Sequence, residues 1–191
     1  MILTLDIGFA KTGWSVMHDG VVKDVGLSIH VKPPKKSNIR VSDILSQRAA
    51  KLAADLRKVY REYGCRAIIG EMPSGGAQSA SAMAKMAVAA AAVSAMTASL
   101  DMPCEWCTPT DVKVAATGLK SGTKPEIMDA VAKKYGWHVD VKQTKTSERK
   151  TFHVPTVEGT RKLPGGQFED IADAIVAYWA METSNLVKMF G

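Results

Sequence analysis

The chain has 191 residues, 46% of them hydrophobic, which suits one compact domain over 1–191 with an ordinary core. Its net charge of +6 and isoelectric point near 9.2 favour a polyanionic partner and argue against a generally acidic surface. Three cysteines (Cys65, Cys104, Cys107) are too few for a disulfide framework and fit a reducing cytoplasm.

The N-terminus enters a strand pattern directly, with no visible targeting peptide. Three strands are expected over 2–7, 13–17 and 21–31, the last two joined by the hairpin signal Asp19-Gly20. The run Lys32-Pro33-Pro34-Lys35-Lys36-Ser37-Asn38 cannot continue a sheet. Ser42 then suits an N-cap for a helix over 42–63. Ile44, Leu45, Ala49, Leu52, Leu56, Val59 and Tyr63 recur at helical spacing, and Gly64 supplies the stop.

A buried strand over 66–70 leads to Glu71. The alanine-rich stretch 77–99 predicts a helix. Alanine gains little in lipid, and the stretch carries Lys85 with several Ser and Thr, so a buried helix is expected rather than a transmembrane one. Its small side chains suit close helix packing, either inside the fold or across a dimer. A strand over 102–108 carries Cys104-Glu105-Trp106-Cys107, whose spacing lacks a second pair to complete a zinc site; buried structural thiols are expected. Thr108-Pro109 opens one helix, and Thr123 with Glu126 opens another that stops at Gly136. Residues 137–167 are mixed, polar and rich in turn formers, and Phe152 and His153 suit either a hairpin strand or base stacking. A final helix is expected over 168–187. This order indicates an α/β fold with a mixed sheet.

Four carboxylates carry the chemistry. Asp6 and Glu71 end apolar strands, where a charge is costly unless compensated. Asp170 and Asp173 project within about 60° of each other on a helix, and Glu169 shares a face with Asp173, so geometry alone leaves Glu169 open. Carboxylates from a sheet and a helix suit hard divalent ions, and two Mg²⁺ about 4 Å apart can drive phosphodiester hydrolysis.

The matching segments are Leu5-Asp6-Ile7-Gly8-Phe9-Ala10-Lys11-Thr12-Gly13-Trp14, Ile69-Gly70-Glu71-Met72-Pro73, Asp111-Val112-Lys113-Val114-Ala115-Ala116-Thr117-Gly118 followed by Lys124, and Asp170-Ile171-Ala172-Asp173-Ala174. In this order they resemble the RuvC-type Holliday junction resolvases of the ribonuclease H-like superfamily. The resemblance covers most of 1–136 and 165–180. It implies a mixed five-stranded sheet flanked by helices, and two Mg²⁺ ions, with Mn²⁺ as a substitute, held by Asp6, Glu71, Asp170 and Asp173. It also implies that Lys113 and Lys124 support DNA binding and cleavage. The substrate implied is branched DNA, above all four-way junctions, cut by paired symmetrical nicks that leave 5′-phosphates. Cutting two opposed strands suits a homodimer, for which 77–99 is the candidate surface.

The chain departs from the family in two places. The segment 72–77 has no aromatic wedge, and the interval between Lys124 and Asp170 is longer than in compact bacterial members. Such elaboration suits a divergent or bacteriophage-type member, working in the cytoplasm of a bacterial cell or an infected host. The insert at 137–167 holds Lys142, Lys145, Arg149, Lys150, Arg161 and Lys162 against Asp140, Glu148 and Glu158. With Lys35, Lys36, Lys113, Lys120 and Lys124, these cations suit phosphate contacts that do not read sequence. Competing readings are a ribonuclease H-like nuclease acting on flaps or RNA–DNA hybrids, and a non-catalytic nucleic-acid-binding module. An actin-like ATPase would need a second nucleotide-binding half, for which 191 residues leave little room.

Overall fold

A computed structural model describes residues 1–29, 38–72, 79–144 and 146–191. Strands β1 (Ile2–Asp6), β2 (Lys11–His18), β3 (Val21–Ile29), β4 (Ala67–Glu71) and β5 (Cys104–Cys107) form one sheet in the order β3-β2-β1-β4-β5. The first three are antiparallel, while β1, β4 and β5 run parallel. Asp19 and Gly20 both take positive φ, the backbone that matches the twist of a tight hairpin.

Strand alternation divides the sheet into two faces. Leu3 and Leu5 lie under α1 (Val41–Tyr63) and α2 (Ala80–Ser99), in one core with Leu52, Leu56, Val93 and Met96. Ile2 faces the other way, into a core with Phe168, Ile171 and Ile175 of α5 (Gly165–Ala180). Helices α3 (Pro109–Thr117) and α4 (Lys124–Tyr135) flank α5 and add Val112, Ile127 and Val131 to that core. Both begin with a complete capping box, Thr108 with Asp111 and Thr123 with Glu126. Gly64, Gly118 and Gly136 end α1, α3 and α4 in the left-handed conformation.

Four sequence expectations need correction. Helix α1 starts at Val41 with Arg40 in the cap position and no side-chain cap bond, so Ser42 lies inside the first turn. Asp43 supplies the negative charge that the helix start favours. Residues 137–167 contain a second, antiparallel sheet of β6 (Val139–Gln143), β7 (Glu148–Thr156) and β8 (Gly159–Pro164). Only one face of that sheet is covered, so its buried residues are few: Phe152, Val154 and Leu163. Phe152 belongs to the core, with its ring stacked on Phe168 at 4.1 Å. Arg161 fastens this sheet to the main one, reaching Asp24 at 3.9 Å and the Val25 carbonyl. The last helix stops at Ala180, and α6 (Asn185–Phe190) restarts from Ser184, whose hydroxyl accepts from the Val187 amide at 3.2 Å.

Helix α2 is not the buried helix expected: it packs along one side on α1 and buries only Ala89, Val93, Met96 and Thr97. By length and composition it could cross a membrane, yet most of its surface stays open. The cysteines are free, and burial pushes the thiols of Cys65 and Cys104 up to about 11 and that of Cys107 to about 12. On a strand, the Cys104–Cys107 spacing sends the two thiols to opposite faces of the sheet.

Candidate active site

Strand register builds the floor of the site. Asp6 pairs with Glu71 on the parallel neighbour β4 and with Gly13 on the antiparallel neighbour β2. Both acids therefore end adjacent strands on the α5 side. Gly13 decides how close α5 can come: a Cβ there would lie 2.1 Å from the Asp170 carbonyl oxygen. With no side chain at position 13, the helix rests on the strand backbone and carries Asp170 and Asp173 over Asp6 and Glu71.

The four carboxylates share one field. Burial raises the Asp6 carboxyl well above its ordinary range, and Glu71, Asp173 and Asp170 push it further while Lys124 opposes. Glu71 is pushed up to about 7 by burial and then by Asp173, against Lys124 and Lys113. Burial brings Asp173 to about 6; Lys124 works against this, and Glu169 and Asp170 add to it. Desolvation and like-charge crowding on this scale mark a site that lacks positive charge. Hard oxygen donors with surplus negative charge fit a divalent cation such as Mg²⁺.

Three lysines, Lys11, Lys113 and Lys124, partly compensate. Lys11 pairs with Asp170 and donates to the Gly166 carbonyl at 2.8 Å, tying the start of β2 to the first turn of α5. Lys124, at the start of α4, pairs with Glu169. Each candidate on α5 thus has its own lysine: Glu169 pairs with Lys124 and Asp170 with Lys11, Asp170 also acts on the Asp6 carboxyl, and both act on Asp173. Lys113 is half-buried on α3, and Lys120 is exposed just beyond it. In the sequence Lys11 stands out only within the segment Leu5 to Trp14. Its role depends on a contact 159 positions away in sequence, which no local pattern signals.

The cations of the insert divide. Lys150 reaches both carboxylate oxygens of Asp129 at 2.7 Å and holds β7 to α4. Lys142 and Arg149 are exposed and directly opposite each other on β6 and β7, a like-charge pair that an anion would relieve. Arg149 and Lys150 also line a groove of about 490 Å³ with Pro125, Gly165 and Gly166, beside the Lys11 contact. Lys35, Lys36 and Lys145 lie outside the described residues, as do residues 73–78 after Glu71.

A mixed five-stranded sheet of order β3-β2-β1-β4-β5 covered by helices is a ribonuclease H-like α/β fold, and its acids lie at the ends of the central strand and its parallel neighbour and on the covering helix. No family model and no curated protein matches the sequence. Among solved structures, Thermus thermophilus RuvC superposes with a TM-score of 0.60 at 17% identity, covering 95% of both chains. The T. thermophilus RuvC complex with Holliday junction substrate gives 0.64 at 15% identity, over 98% of this chain and 94% of that one. The yeast mitochondrial Holliday junction resolvase Ydc2 gives 0.52 at 10% identity, over 100% and 84%. The chain has the fold of the RuvC-type resolvases.

Proposed function

We propose that the protein is a structure-selective endodeoxyribonuclease that resolves four-way DNA junctions by paired symmetrical nicks and leaves 5′-phosphate ends. The observation that carries this reading is the convergence of Asp6, Glu71, Asp170 and Asp173 in one charge-strained cluster on a RuvC-type sheet. These four residues would hold two divalent cations, Mg²⁺ or Mn²⁺. When bound, such ions supply an activated water and charge stabilisation at the leaving 3′-oxygen. Asp6 and Glu71 set the floor of the site through strand register, and α5 closes it with Asp170 and Asp173. Lys113 and Lys124 neutralise the scissile phosphate, while Lys142 and Arg149 hold the backbone of a neighbouring arm.

Two opposed cuts require two sites, so the working form in this reading is a homodimer. The open side of α2, with Met83 62% exposed, is the surface we assign to it. The catalytic assignment is tested with Asp6→Asn and Asp170→Asn. Each variant should bind a four-way junction within a few-fold of the unmodified protein and leave it uncut. Normal cleavage by either variant would remove that residue from the site.

A further inference from the structure

A second polar cluster stands apart from the carboxylate site. His138 and His153 face each other across β6 and β7, where the His153 amide donates to the His138 carbonyl at 2.9 Å. Asp140 lies two residues along and therefore on the same face as His138. Its two oxygens take one imidazole each: Oδ1 lies 2.9 Å from His138 Nε2, and Oδ2 lies 2.6 Å from His153 Nε2. The rings meet edge to face with centroids 4.9 Å apart. One ligand atom from each of the three residues falls within 4.8 Å of the others.

We propose that His138, Asp140 and His153 bind one late first-row divalent metal ion of the zinc class. The donor set decides the class. Two imidazoles and one carboxylate favour zinc, nickel or copper over Mg²⁺, which prefers oxygen alone. Zinc bonds of about 2.0–2.1 Å in a tetrahedron place donor atoms roughly 3.3 Å apart, so the contacts at 2.9 and 2.6 Å open by roughly 0.4–0.7 Å and separations of up to 4.8 Å close toward the same spacing. His138 and Asp140 are 71% and 54% exposed in their side chains and can make that adjustment. His153, only 16% exposed, anchors the site, because the next residue on its strand is the fully buried Phe152. In the ion-free protein each Nε2–H donates to Asp140; on binding that proton leaves Nε2, by tautomer change to Nδ1 or by release to solvent, and Nε2 presents its lone pair to the ion. Solvent fills the fourth position. The ion then clips β6 to β7 behind the hairpin end that carries Lys142 and Arg149.

The test is calorimetric titration of the full chain with ZnCl₂ in excess Mg²⁺, on the unmodified protein and on His138→Ala, Asp140→Asn and Asp6→Asn. One ion per chain is expected, with affinity reduced about tenfold or more by each of the first two changes and unaltered by Asp6→Asn. Hydrogen exchange should show zinc-dependent protection of 139–152. Cobalt should give the intense visible absorption of four-coordinate sites, lost in His138→Ala. The proposal is overturned by stoichiometric binding that survives His138→Ala, by binding that disappears in Asp6→Asn, or by no binding up to about 100 μM zinc.

Discussion

Replacing Asp173 with asparagine should stabilise the ion-free protein while destroying its site. Asp173 is buried, and its carboxyl titrates near 6 instead of 3.8. Holding it ionised in the fold therefore costs roughly 3 kcal/mol. The sign follows from linkage: a carboxyl whose folded value lies above its unfolded value favours folding when protonated. That contribution is fully present below about pH 4 and is lost as the pH rises through 6. Asparagine copies the protonated shape at every pH. At pH 7.5 in EDTA the variant should gain about 1–3 kcal/mol, the lower end allowing for an imperfect amide fit. For a chain of this length that raises Tm by about 2–12 °C. Calorimetry at pH 7.5 and pH 4 measures it, and the gain should vanish at pH 4. Saturating Mg²⁺ should close the gap by stabilising only the unmodified protein. A destabilised variant at pH 7.5 without ions, or an equal gain at pH 4, would show that the fold does not hold Asp173 ionised at a cost.

Two further outcomes follow from the geometry. Gly13→Ala places a methyl 2.1 Å from the Asp170 carbonyl, so α5 must shift. Cleavage should fall at least about tenfold and urea denaturation should show a loss of roughly 1–3 kcal/mol; an unaffected enzyme would mean that α5 does not rest on this strand. Lys124→Gln removes a cation that lowers Asp6, Glu71 and Asp173. The acid limb of the pH–cleavage profile should then move to higher pH, and a limb that stays in place or moves down would show that Lys124 does not set these carboxyls.

Much of the architecture is carried by local chemistry and is legible in sequence. Asp19-Gly20 specifies its hairpin, Thr108-Pro109 and Thr123 with Glu126 specify two helix starts, and Gly64 and Gly136 specify stops. The acids are legible for the same reason: Asp6 and Glu71 interrupt apolar runs, and Asp170 and Asp173 share a helix side. What is hidden depends on partners distant in sequence. Strands β6 to β8 alternate, but Phe152, Val154 and Leu163 point inward among charged neighbours, so only Phe152-His153 reads as a possible hairpin strand and the rest as polar loop. Only the Phe168 ring across the chain shows why Phe152 is aromatic. Lys11 looks like a turn lysine until α5 supplies Asp170 and the Gly166 carbonyl. Composition could not reveal the open side of α2, because alanine suits a buried and an exposed helix equally.

Paired nicking of a four-way junction is the behaviour that the carboxylate cluster and the RuvC-type fold together demand. A mobile four-way junction, a flap and a linear duplex of matched sequence would each be incubated with the protein and Mg²⁺, and both strands of every product mapped. A two-metal junction resolvase gives symmetrical nicks with 5′-phosphate ends in the junction, little cutting of the other two, and no cutting in EDTA. Equal cleavage of linear duplex, or junction cleavage that persists in EDTA, would contradict that function.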